Sequence, residues 1–365
     1  MSRQGGDEFV LLLPSVVDQE QIERTAEQLI RTIEQPLRYG KRALHVSASV
    51  GITLFPENGT DPKTLIKQAD TALYHAKQAG RGRFSLYTAA MGERADHRLQ
   101  LETELRTAIK EGQLYLEYQP KVQYPERRLV GIEALVRWRH PRGTVVAPGD
   151  FIPLAEETGL VTAIDEWVLR EACRQVGAWC DAGLAPVPVA VNMSLARADV
   201  DRLVRNIERA LADARIPASL LEIEFTESQM LGQNVRARQL VDRIRALGVR
   251  LSVDDFGTGY SSLSYLTDFR FDTIKIDRAF VHGLPEENEG RAVIQAILGI
   301  AQSLECDVVA EGVETEAQAG TLGDMGCRQM QGFLFAKPLS AAAIERELDR
   351  GRVAAGVAAI ALANS

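Results

Sequence analysis

From Leu114 to Gln331 the chain repeats one pattern. A short apolar run ends in an acid, an amide or a lysine, and a longer stretch at helical spacing follows. Strands are expected at 114–122, 129–138, 187–193, 220–225, 249–254, 273–276, 307–311 and 329–331. Helices fill the gaps, among them 165–182, 202–214, 235–247 and 291–304. About 250 residues of alternating strand and helix is the size of a TIM-type (β/α)8 barrel, an α/β fold whose chemistry gathers at one end of the strands. The most pointed of these runs is LSVDDFGTGYSSL, 251–263, where a buried-strand alternation stops at two adjacent carboxylates, Asp254 and Asp255. Neighbouring strand residues point to opposite faces, so one acid is expected to lean inward and the other toward the rim.

The ends of the other runs supply Glu133, Asn192, Glu224, Lys275, Glu311 and Gln331. Any one of these has an ordinary structural explanation as a turn amide or a rim salt bridge. Their recurrence at successive strand ends does not, because a closed barrel would bring them to one rim. Carboxylates with a carboxamide form a hard oxygen site suited to Mg²⁺ or Mn²⁺. Zinc is disfavoured: His45, His75, His97, His140 and His282 show no ligand spacing.

A formal charge of −8 with no basic stripe excludes nonspecific binding of nucleic acid polymers. The four cysteines lack metal-type spacing, as in a reduced, cytoplasmic compartment. No membrane segment is expected, since the longest apolar stretch, VAAGVAAIALA, is too short and Ala-rich to span a bilayer. That stretch falls in an expected tail, 351–365.

The chain opens with RQGGDEFVLLLP: a glycine turn at Gly5 and Gly6, then an expected buried strand at 9–13. Arg3 to Phe9 resemble the R-x-GGDEF signature of diguanylate cyclases, and the helix 19–34, strand 46–53 and helix 62–79 resemble that domain's second half. The resemblance implies a truncated GGDEF-like domain over 1–90. Asp7 and Glu8 are present without their partner carboxylate, so cyclase activity is not expected. An exposed sheet edge and apolar face are. A connecting helix with Leu101, Leu105 and Ile109 on one face is expected over 91–112, ending at Gly112.

Residues 113–350 strongly resemble the EAL family of cyclic di-GMP phosphodiesterases. The matching motifs are YQPK (118–121), EALVRWRHP (133–141), NMS (192–194), EFTE (224–227), DDFGTGYSS (254–262), KID (275–277), EGVE (311–314) and QGF (331–333). The resemblance implies hydrolysis of cyclic di-GMP to pGpG with two Mg²⁺ or Mn²⁺ ions. It implies that Glu133, Asn192, Glu224 and Asp254 hold one ion and that Asp254, Asp255 and Glu311 serve the other. Lys275 is implied as general base or electrostatic stabiliser, with Gln119, Arg137 and Gln331 as substrate or water contacts. Glu227 is implied as anchor of the loop after Asp255, which carries Gly257 and Gly259. A homodimer through the barrel is the expected assembly. Two other readings are a cyclic di-GMP receptor without turnover and an enzyme regulated by GTP through the first domain.

Overall fold

The computed structural model describes residues 1–14, 18–40, 42–195, 199–231, 234–257, 269–286 and 288–350. The expected glycine loop beyond Gly257 and the expected tail 351–365 lie outside these. Two compact units divide the chain, Met1–Thr103 and Glu104–Ser365, and the division falls inside the expected connecting helix.

The first unit begins with a hairpin of β1 (Ser2–Gly5) and β2 (Glu8–Val10), turned at Gly6 with φ 53°. The Arg3 guanidinium donates to the Gly6 carbonyl and fastens this turn. Helix α1 (Gln19–Ile33) is capped by Asp18, and its inner face buries Ile22, Ala26 and Ile30. A second hairpin, β3 (Leu37–Tyr39) and β4 (Arg42–Leu44), follows. Then β5 (Val50–Ile52), α2 (Pro62–Gln78) and β6 (Phe84–Leu86) complete the unit, with β5 and β6 parallel.

Two expectations fail here. The buried strand at 9–13 is a short exposed one: Phe9 is 56% and Leu12 84% accessible. A two-stranded ribbon has too few neighbours to cover its faces. The strand expected at 46–53 shrinks to β5, and β3, β4 and β6 carry no period long enough to read in advance. The exposed apolar face is found, with Leu11, Leu37, Tyr39 and Phe55 also open to solvent.

Helix α3 (Ala89–Glu111) carries the division between the units and stops at Gly112, which takes φ 70°. The second unit is a closed barrel of eight strands. They are β7 (Leu114–Gln123), β8 (Arg128–Arg139), β10 (Val189–Asn192), β11 (Leu221–Thr226), β12 (Arg250–Phe256), β13 (Thr273–Ile276), β14 (Asp307–Ala310) and β15 (Gln329–Met330). A two-residue β9 (Val145–Val146) pairs with the outer end of β8. Strands β8 and β10 close the ring in parallel. The barrel departs from an all-parallel one at β7, which runs antiparallel to both β8 and β15. A hairpin links β7 to β8 directly, and a hairpin can join only antiparallel strands.

The strands read as apolar runs, VAV, LEIEF and TIKI, because the barrel covers both faces. Around them pack α4 (Pro148–Thr158), α5 (Val161–Asp181), α6 (Val200–Ala214), α7 (Glu227–Leu231), α8 (Asn234–Ala246), α9 (Arg278–His282), α10 (Asn288–Leu304), α11 (Glu316–Asp324) and α12 (Ala341–Arg350). Helix α6 shows the rule: Asp199 caps its start, and Leu203, Val204, Ile207 and Ala210 form one buried stripe. Thr315 and Gln318 form a reciprocal capping box at α11.

Close backbone approach shapes the rim beside β15. A Cβ at Gly332 would stand 2.1 Å from the Val313 carbonyl oxygen and 2.3 Å from its nitrogen. Gly332→Ala is therefore expected to destabilise the barrel by about 2 kcal/mol or more. Gly299, inside α10 with open space around it, is the opposite case. Gly299→Ala is expected to stabilise by roughly 0.5–1 kcal/mol. Urea unfolding midpoints of the two variants check both signs.

Candidate active site

Register carries the polar strand residues to one level of the barrel. Gln119 on β7 faces Glu133 on β8, Glu133 is level with Ala190 on β10, and Asn192 is level with Glu224 on β11. Thr226 is in turn level with Asp254 on β12. The steps of two residues, from Ala190 to Asn192 and from Glu224 to Thr226, are the stagger of a tilted, closed barrel. Glu133 sits in the middle of β8 rather than at its end, because β8 runs on past the rim to pair with β7 and β9.

At the centre is Lys275, 1% exposed. Its ammonium donates to Glu224 Oε2 at 2.6 Å and Asp254 Oδ2 at 3.1 Å. It also lies 2.7 Å from Glu311 Oε1 and 3.6 Å from Glu133 Oε2. Burial alone would push this lysine down, but Glu133, Glu224, Glu311 and Asp254 hold it well above its ordinary value. Asn192 Nδ2 donates to Glu133 Oε1 at 2.7 Å. Gln331 Nε2 donates to Glu133 Oε2 at 2.6 Å and to Gln119 Oε1 at 3.0 Å, while Gln119 donates to the Ala336 carbonyl. Among the described residues, Gln331 Oε1 is buried without a hydrogen-bond partner.

The acids respond to this crowding. Burial raises Glu133. Burial also pushes Glu311 up to about 8; Lys275 opposes this, and the charges of Asp254 and Glu133 add to it. Glu224 goes the other way, down to about 2, because Lys121 and Lys275 together outweigh its burial. A register irregularity falls between Val253 and Phe256, and Asp255 takes a φ of 54°. Asp255 is pushed up to about 6 by burial, then by the charge of Asp254 and the carboxyl of Asp277. The Asp255 N–H donates back to Asp254 Oδ1. Glu227 accepts from the Gly257 N–H at 2.8 Å, which holds the start of the expected loop.

Oxygens of Glu133, Glu224 and Asp254 lie within 4.8 Å of one another, the reach of a shared cation, among the described residues. Arg137 stands apart from this group. It lies on the same side of β8 as Glu133, but its Nε donates to Glu117 Oε2 at 2.7 Å. Sequence reasoning assigned no role to Glu117, Lys121, Glu222 or Asp165. The last is half-buried on α5 and accepts from the Ser194 N–H at 3.0 Å, bracing the turn after Asn192. Glu222 was legible in one respect: with Glu224 it forms an E-x-E pair on one face of β11.

The EAL domain family matches residues 102–338, and the diguanylate cyclase GGDEF domain matches 1–83. The bifunctional diguanylate cyclase/cyclic di-GMP phosphodiesterase MucR of Pseudomonas aeruginosa is 41% identical over 93% of this chain and 50% of its own length. The cyclic di-GMP phosphodiesterase PdeR of Escherichia coli is 38% identical over 95% of this chain and 52% of its own. The chain thus spans about half the length of these curated relatives. Among solved structures, the PaMucR phosphodiesterase in complex with c-di-GMP is similar at a TM-score of 0.64 and 43% identity. That match covers 67% of this chain and 99% of the other. No helix among the described residues is long and apolar enough to cross a membrane.

Asp165 generates a pH prediction. Burial, with the charges of Glu156 and Glu166, pushes it up to about 7 against the Ser194 hydrogen bond. A raised carboxyl stabilises the fold fully below the ordinary aspartate value, and that contribution is lost as pH rises toward 7. Asp165→Asn does not titrate yet keeps an oxygen for Ser194. Between pH 4 and 8 the stability difference is expected to shift toward the variant by on the order of a few kcal/mol. Urea midpoints of both proteins across that range measure it.

Proposed function

The chain belongs to the EAL domain family, and on that premise we propose that it hydrolyses cyclic di-GMP to linear pGpG with two divalent cations, Mg²⁺ or Mn²⁺. One observation carries the reading. Five carboxylates, Glu133, Glu222, Glu224, Asp254 and Glu311, face two ammonium groups, Lys121 and Lys275. Acids so placed are held together stably only with further positive charge among them. An all-oxygen donor set suits a hard cation. Glu133, Asn192, Glu224 and Asp254 would hold the first ion, and Asp254, Asp255 and Glu311 the second. Such ions supply a water nucleophile of lowered pKa and offset charge on the phosphodiester oxygens.

The chain's own residues do the rest. Lys275, fixed by its carboxylate neighbours, keeps a positive charge beside the position of attack, where it orients water and stabilises developing charge. Gln331 and Gln119 form a linked pair of amides that fixes the second oxygen of Glu133, and the free Gln331 Oε1 can accept from a water or substrate hydroxyl. Arg137 presents a planar fork to a phosphate. In the reaction one phosphodiester P–O bond breaks, the water oxygen joins phosphorus, and a proton passes to the leaving ribose oxygen. The names of MucR and PdeR, both cyclic di-GMP phosphodiesterases, support the substrate. A homodimer through the barrel belongs to the same proposal, and light scattering on the purified chain reads it. We assign no cyclase activity to residues 1–83.

Mass spectrometry of cyclic di-GMP incubated with the protein and Mg²⁺ is expected to give pGpG, and its absence would reject the reading. Glu133→Ala is expected to lower turnover by about 100-fold or more, with substrate affinity far less affected. Single-turnover kinetics beside calorimetric binding separates the two effects.

A further inference from the structure

A second ionic layer lies in the barrel beneath the site. Lys121, 4% exposed, projects inward from β7 and donates to Glu222 Oε1 at 3.1 Å and to Glu224 Oε1 at 2.7 Å. Glu222 also lies 3.5 Å from Arg250 Nε, and Arg250 donates to Asp307 at 3.2 Å. Space for the lysine is built in. Lys121 is paired in register with Gly131, and a Cβ at that glycine would come within 3.2 Å of the Lys121 stem.

The two oxygens of Glu224 are thereby divided. Oε1 belongs to Lys121 below, and Oε2 stands 2.6 Å from Lys275, the ammonium that Asp254 and Glu133 share. A carboxylate so held offers a cation one oxygen. Mg²⁺ takes six ligands in strict octahedral geometry and is satisfied by single oxygens. Ca²⁺ is larger, takes six to eight, and gains from carboxylates that bind through both.

We propose that Lys121 is a positioning residue for metal selectivity: by occupying Glu224 Oε1 it keeps Glu224 a one-oxygen ligand and so disfavours Ca²⁺ relative to Mg²⁺ and Mn²⁺. The inference rests on the metal-dependent reading above and assigns Lys121 no contact with substrate. Without the lysine, Glu224 is free to turn and present both oxygens upward.

The test is calorimetric titration of the metal-stripped chain with CaCl₂, MgCl₂ and MnCl₂, without substrate. Lys121→Met is expected to raise the ratio of Ca²⁺ to Mg²⁺ affinity by about tenfold, the scale on which residues behind metal ligands act. Because this change leaves Glu222 buried without its ammonium, Lys121→Met/Glu222→Gln, which removes one buried charge of each sign, carries the test should the single variant precipitate. A ratio within about threefold of wild type in either folded variant overturns the proposal. Failure of the underlying reading looks different: the wild-type chain would bind no divalent ion, or bind it as well after Glu133→Ala.

Discussion

Everything at the barrel mouth depends on one electrostatic constraint: carboxylates of like charge cannot be buried side by side without cations between them. Lys275 meets part of that demand, touching Glu224, Asp254 and Glu311 from a position almost without solvent. Lys121 meets another part from below. Burial first, with the charges of neighbouring acids added, keeps Glu133 and Glu311 raised even so. Glu224, placed between both lysines, is held well below the usual carboxylate range. Apolar side chains would fill this volume more cheaply, so the arrangement is understandable as a device for cations and phosphates rather than for stability.

Strand geometry makes the device possible. Along β8 and β11 alternate residues face the interior, so Glu133 and Glu224 point to the axis while Ile132 and Ile223 pack outward against helices. Reversal of β7 extends the same layer, because its hairpin with β8 sets Gln119 across from Glu133 and Lys121 across from Gly131. The bare backbone of Gly131 gives a long cation room to lie flat. Topology, register and charge pairing are one design in three descriptions.

The barrel was legible in the sequence because its strands are β-branched runs separated by long helical periods. All eight lie where the apolar runs do, within a few residues at their ends. The site was legible because its acids interrupt those runs. Lys121, quoted only as part of YQPK, and Glu222 were given no role for the converse reason: each sits inside a strand, where a charge has no evident purpose unless its partner on another strand is known. Glu117 was hidden likewise, since only the β7–β8 register reveals that it holds Arg137. In the first unit β3, β4 and β6 are three residues each, too short for any period to show.

Glu133 joins parts of the chain that lie far apart in sequence. Strand β10 meets β8 over Val189, Ala190 and Val191, and the residue aligned with Ala190 is Glu133 itself. Asn192 reaches that acid across 59 positions of chain, and Gln331 reaches it across 198. Contacts so remote in order carry a loop-closure cost that local ones do not. One acid is thus gripped by both early and late parts of the polypeptide, so a cut far from it in sequence is expected to loosen it.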